Sequence, residues 1–191
     1  MKRYSLWALL GLTILGLSGS IALAQPAQVL IIRHAEKPPE MSAVGLSLRG
    51  QERAMASVPF FTQTPELIYQ GLPVALFATK MAPGEISQRT LETITPLSNY
   101  LRVLPDAHYA KSDYADLAQE VLSSRKYQRK TVLICWDHEY IHRLAAALGV
   151  YPEPPKWQEN VFDRVWIITY RGGQASLVNM PQRLLFGDSP H

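Results

Sequence analysis

An arginine and a histidine stand side by side at positions 33 and 34, directly after the apolar run Val29-Leu30-Ile31-Ile32. A guanidinium offers a planar fork of donors matched to a phosphate, and an imidazole can act as nucleophile, acid or base near neutral pH. Three further pieces follow in chain order: Leu46-Ser47-Leu48-Arg49-Gly50-Gln51-Glu52-Arg53-Ala54, Arg89-Thr90-Leu91-Glu92-Thr93 and Asp137-His138-Glu139. Arg89 falls in the first turn of its helix, where the macrodipole adds to the pull of the side chain on an anion. Two arginines and two histidines brought to one place would make a donor-rich anion pocket.

The elements that must position these groups are legible from periodicity. Val29 to Ile32 reads as a buried strand, continuous and β-branched rather than alternating. Residues 47–61 read as a helix with Ser47 as N-cap, 74–78 as a second strand, and 87–101 as a helix with Leu91, Ile94, Leu97 and Leu101 on one face. Residues 112–127 read as another helix, capped by Ser112 or Asp113, and 131–135 as a third buried strand. A helix is expected from about His138 to Leu148, stopped by Gly149. Strands at 165–170 and 175–178, joined through Gly172-Gly173, would close the sheet as an antiparallel hairpin at its edge. This alternation predicts a three-layer α/β/α sandwich with a mostly parallel sheet. Ligands of such sheets bind beyond the C-terminal ends of the strands, where Arg33-His34 and Asp137-His138 both lie.

Taken together, Arg33-His34-Ala35-Glu36, the Arg-x-x-x-Thr spacing of Arg89 and Thr93, and His138 after a buried strand resemble the histidine phosphatase superfamily, the phosphoglycerate mutase-like group. Residues 46–54 are similar to its Leu-Thr-x-x-Gly-x-x-Gln-Ala region. The resemblance spans roughly 28–150 and is nearest to secreted bacterial members whose first motif reads Arg-His-Ala-Glu-Lys. It implies a phosphoglycerate mutase-like fold and a phosphomonoesterase that needs no metal and no cofactor. His34 would be the nucleophile that forms a phosphohistidine, through the ring nitrogen not held by a backbone carbonyl. Arg33, Arg89 and His138 would bind the phosphoryl oxygens. Glu139, beside the second histidine, would be the general acid, with Asp137 and Asp113 as alternatives. Ala35 stands where the family commonly has Gly, so its backbone must avoid a glycine-only conformation.

Two other classes of function compete. His138-Glu139-Tyr140-Ile141-His142 satisfies H-E-x-x-H, which on a helix would set two imidazoles on one face for zinc, with Glu139 activating water. Glu153, Glu159 and Asp163 are the candidates for a third ligand. That reading leaves Arg33-His34 and Arg89-x-x-x-Thr93 unexplained, and makes His142 a ligand rather than a packed residue. The second competitor is a catalytically weak phosphate-binding module on the same pocket, since fold alone does not establish turnover. Arg49, Arg53, Arg125 and Arg129 read as solvated surface charges, and Glu36 and Lys37 as pocket rim or as a pair with each other.

Composition bounds the rest. Lys2 and Arg3, an uncharged apolar stretch from 6 to 17 and Ala22-Leu23-Ala24 form the pattern of a signal peptide over 1–24, leaving 25–191 as a single domain. The expected destination is periplasmic or extracellular, without membrane attachment after cleavage. The formal charge of +3 includes Lys2 and Arg3, and no basic stripe points to nucleic acid. The expected partner is a small-molecule phosphate ester or phosphorylated substrate. Cys135 is the sole cysteine, so no intramolecular disulfide can form, and its apolar run marks it as a packed thiol.

Overall fold

The structure, a computed structural model, describes residues 25–40, 43–81 and 88–189. The expected signal peptide lies outside the described residues, and so does Ser87. No helix among the described residues is long and apolar enough to cross a membrane.

The first strand, β1 (Gln28–Arg33), is buried along its whole length, as its unbroken apolar run requires. After it come α1 (Leu48–Gln63), the single turn α2 (Pro65–Ile68), β2 (Pro73–Phe77), α3 (Arg89–Leu101) and a two-residue strand β3 (Pro105–Asp106). Then follow α4 (Tyr114–Ser123), β4 (Thr131–Trp136), α5 (Ile141–Ala147), β5 (Arg164–Arg171) and β6 (Gln174–Pro181). The sheet order is β3-β2-β4-β1-β5-β6. Strands β1 to β4 pair in parallel, and the β5–β6 hairpin joins antiparallel at β1. Gly172 and Gly173 have φ of 57° and 83°, as a two-residue turn matching the strand twist requires.

Strand alternation divides the core. Val29 and Ile31 of β1, with Val132, Ile134 and Trp136 of β4, pack against Leu117 and Val121 of α4 and Leu144 of α5. Leu30, Ile32, Leu133 and Cys135 point the other way, onto Phe61 of α1 and Ile94 and Leu97 of α3. The result is the three-layer α/β/α architecture, with a mixed six-stranded sheet. Chain leaving β1 runs to α1 on one face, and chain leaving β4 runs to α5 on the other. These neighbouring parallel strands therefore open a crevice between their C-terminal ends, the topological switch point where α/β folds hold ligands.

Two expected helices are shorter than their periodicity suggested. The 112–127 segment breaks at Ser124, whose backbone is extended (φ −76°, ψ 123°), and resumes as one 3-10 turn, Arg125–Tyr127. The helix expected from His138 begins instead at Ile141. The residues between are held in a turn on Asp137, whose Oδ1 accepts from Glu139 N at 2.9 Å and whose carbonyl accepts from Tyr140 N at 3.0 Å.

Candidate functional site

Arg33 ends β1 in register with Trp136 at the end of β4, so His34 and Asp137-His138 emerge side by side at the crevice. The Arg33 side chain is enclosed by protein, 1% exposed. Its Nη1 donates to the carbonyls of Gln158, Glu159 and Val161, and its guanidinium carbon lies 4.0 Å from the centre of the Phe162 ring. Nε and Nη2 are buried and have no partner among the described residues. Burial lowers the guanidinium to about 10, with Asp137 and Glu159 opposing that shift. It stays cationic at neutral pH, leaving two desolvated donors that an anion would satisfy.

His34 is almost wholly buried. Its Nδ1 lies 2.7 Å from the Ala35 carbonyl oxygen, which can only accept, so Nδ1 carries the proton and Nε2 presents a lone pair. Burial, reinforced by the Arg33 and Arg89 cations, pushes this imidazole down to about 4 against the pull of the Ala35 bond. A neutral ring with its basic nitrogen free is the state a nucleophile needs. Ala35 is fully buried and is not among the positive-φ residues, so alanine serves where glycine is common.

Thr93 explains the Arg-x-x-x-Thr spacing. One helical turn after Arg89, its hydroxyl accepts from Ala35 N at 2.8 Å and donates to the Arg89 carbonyl at 2.7 Å. The start of α3 is thereby fastened to the loop carrying His34. Arg89, half-buried, donates from Nε to the Gly45 carbonyl at 3.3 Å and from Nη2 to the Ala43 carbonyl. It is close enough to Arg33 and His34 to act on both electrostatically.

The 46–54 motif has an equally local cause. Ser47 caps α1, its hydroxyl accepting from Gly50 N at 3.1 Å and donating to the Glu36 carbonyl at 3.2 Å. A Cβ on Gly50 would sit 2.3 Å from that same Glu36 oxygen, so only glycine lets the helix start dock on the first motif.

His138 stands in the turn before α5, partly buried, and burial together with Arg33 lowers its imidazole. Asp137 Oδ1 is 3.4 Å from its Nδ1 but outside hydrogen-bonding geometry. Of the three carboxyls considered for the general acid, Asp113 accepts from Ala110 N and the Ser112 hydroxyl within its own loop. Asp137 is held in its turn. Glu139, well exposed, lies 3.4 Å from Lys111 Nζ and shares a cleft with His138.

The zinc alternative needs converging donors. Among the described residues, no three His, Cys, Asp or Glu side chains group so as to hold a metal ion. His138 precedes the helix rather than lying on it. His142 is packed at 4% exposure with Nε2 3.5 Å from Glu153. Glu159 instead pairs with Lys37 at 3.3 Å, and Asp163 accepts from Ser189 N.

Two surface assignments need correction. Arg53 is not solvated: it is 4% exposed, bonded through Nε and Nη2 to the Glu36 carboxylate and through both Nη atoms to Asp188. Glu36 and Lys37 do not pair with each other, since Glu36 faces Arg53 and Arg49 while Lys37 reaches Glu159. Sequence reading also missed Phe162, which covers Arg33 and lies 5.9 Å, ring to ring, from His34. No periodicity could single out one phenylalanine in a link more than a hundred residues away.

No family model and no curated protein sequence matches this chain. Its likenesses are to solved structures. A mutant phosphoserine phosphatase from Entamoeba histolytica, crystallised with phosphoserine, superposes with a TM-score of 0.54 at 13% identity, covering 83% of this chain and 99% of that one. A mycobacterial glucosyl-3-phosphoglycerate phosphatase complexed with VO3 gives a TM-score of 0.51 at 13% identity, covering 80% and 97%. A phosphoglycerate mutase from Bacillus anthracis gives 0.50 at 11% identity, covering 82% and 93%. At such identities the likeness is one of architecture, and the architecture of this chain is the phosphoglycerate mutase-like α/β fold.

Proposed function

We propose that this protein is a metal-independent phosphomonoesterase that works through a phosphohistidine on His34. The observation that carries the reading is the pairing of two unpartnered, buried Arg33 donors with a neutral imidazole whose Nδ1 is tied to a backbone carbonyl. Phosphoryl transfer asks for positioning and spread positive charge, and Arg33, Arg89 and His138 would provide both around the equatorial oxygens. His34 Nε2 attacks phosphorus, the ester P–O bond breaks, and the leaving oxygen takes a proton from Glu139. Water then attacks the phosphohistidine with Glu139 accepting its proton, releasing phosphate and restoring the imidazole. Names of similarly folded proteins support the coarse class, since two of the three described above are phosphatases.

Hydrolysis of an aryl phosphate, with and without a chelator, tests this. Wild type should turn over in both conditions, and His34→Ala should lose at least about a thousandfold. Acid-labile radiolabel on the wild-type chain, missing from the variant, would mark the phosphohistidine. Glu139→Gln should slow esters of poor leaving groups far more than aryl esters. Chelator-sensitive proteolysis would replace this reading with the zinc one, and vanadate binding without turnover would replace it with the binding module.

A further inference from the structure

The Phe162 ring has one neighbourhood in the anion pocket and another outside it. It covers the Arg33 guanidinium at 4.0 Å and tilts against His34 at 53°. It also lines an open cleft of about 600 Å³ with Lys37, Pro38, Pro39, Glu159 and Asn160. That is a size able to take a small organic group. Two prolines and a phenyl ring give the cleft flat apolar walls. Its two charges, Lys37 and Glu159, are paired across it at 3.3 Å. Arg33 also moors the Phe162 segment, because its Nη1 donates to the carbonyls of Gln158, Glu159 and Val161. The residue that would grip the phosphoryl group therefore also fixes the wall beside it.

We infer that Phe162, Pro38 and Pro39 form the leaving-group subsite, and that the substrates are phosphate monoesters of uncharged, flat apolar alcohols rather than of amino or hydroxy acids. This rests on the phosphomonoesterase reading above. An aromatic leaving group gains offset stacking on Phe162 and apolar contact with both prolines. A leaving group bearing a carboxylate gains neither, and meets the Glu159 carboxylate, which Lys37 holds in its ionised form. The cleft on the His138 side has both signs in its lining, Arg143 and Lys156 with Glu139 and Glu159, and is where a leaving group carrying both an ammonium and a carboxylate, as serine does, would bind instead.

Benzyl phosphate, ethyl phosphate and phosphoserine separate these cases, because their alcohol leaving groups differ in shape and charge rather than strongly in basicity. The full chain should show kcat/KM for benzyl phosphate at least about tenfold above both others, mostly through KM. Phe162→Leu, which keeps an apolar cover on Arg33, and Phe162→Ala should each bring benzyl within about threefold of ethyl phosphate. Equal rates on benzyl and ethyl phosphate, abolished by His34→Ala, would overturn the subsite and leave the phosphatase reading standing. A preference for phosphoserine would overturn it in favour of the His138 cleft. Absence of His34-dependent turnover on any ester would remove the phosphatase reading itself, and the subsite with it.

Discussion

At the scale of single residues the pocket is organised by what is left unpaired. A buried guanidinium with two idle donors is costly unless something fills the gap, at about 1–3 kcal/mol for each unsatisfied group. The neighbouring imidazole is kept from protonating by the same enclosure. Burial holds His34 down to about 4, so it should stay neutral and Nδ1-protonated across the physiological range. Long-range nitrogen–proton correlation spectra of the imidazoles should show that tautomer unchanged from pH 8 to about pH 5. A ring titrating near its ordinary value, or carrying its proton on Nε2, would remove the basis for nucleophilic attack. Arg33-His34 was readable in the sequence because both stand at the end of an apolar strand. The Phe162 cover was not, since it depends on chain folding back from a distant link.

At the scale of elements, α1, α3 and the C-terminal segment are all fastened to the loop after β1. The motif around Ser47 and Gly50 and the spacing of Arg89 and Thr93 were visible in the sequence, but the contacts that explain them appear only in the fold. Arg53 gave no such signal, because its partners Glu36 and Asp188 lie on opposite sides of it in the chain and its burial exists only once they meet. The carboxylates grip one buried guanidinium from two sides, with Nη2 at 2.7 Å from both Glu36 Oε1 and Asp188 Oδ1. Removing the cation leaves two enclosed carboxylates facing each other. Arg53→Ala should therefore cost about 3–5 kcal/mol in urea unfolding. Asp188→Asn, which keeps the shape and part of the hydrogen bonding, should cost less. A loss under about 1 kcal/mol for Arg53→Ala would show that the cluster behaves as an exposed ion pair, as its sequence context alone suggested. Helix boundaries were the least legible part, for a related reason. Residues 138–140 form a turn on Asp137 before α5 begins, and nothing in the apolar spacing tells that turn from a helix start.

At the scale of the whole molecule these buried groups set how stability follows pH. His34 binds a proton in the unfolded chain near 6.5 but in the fold only near 4. Above 6.5 both states are neutral and the group has no effect. As pH falls towards 4 the unfolded chain takes up the proton first, so stability drops through that window by about 3 kcal/mol. His138 and His142 are also lowered, chiefly by burial, and act in the same direction. Asp188 follows in a second window. Burial raises its carboxyl, but the Arg53 bonds and the backbone N–H groups of Leu184 and Leu185 outweigh that and bring it from 3.8 to about 2. The stability it confers is complete above 3.8 and is lost as pH falls through 2, by about 2 kcal/mol. Urea midpoints measured without phosphate, at constant ionic strength, should be level near pH 7–8 and then decline in these two stages. Phosphate must be absent because any anion bound only by the folded state would mask the slope. His34→Gln should shrink the upper stage and spare the lower, and Asp188→Asn should remove the lower and spare the upper. An upper stage unchanged in His34→Gln would mean that this imidazole titrates alike in both states, and is therefore open to water rather than enclosed beside Arg33.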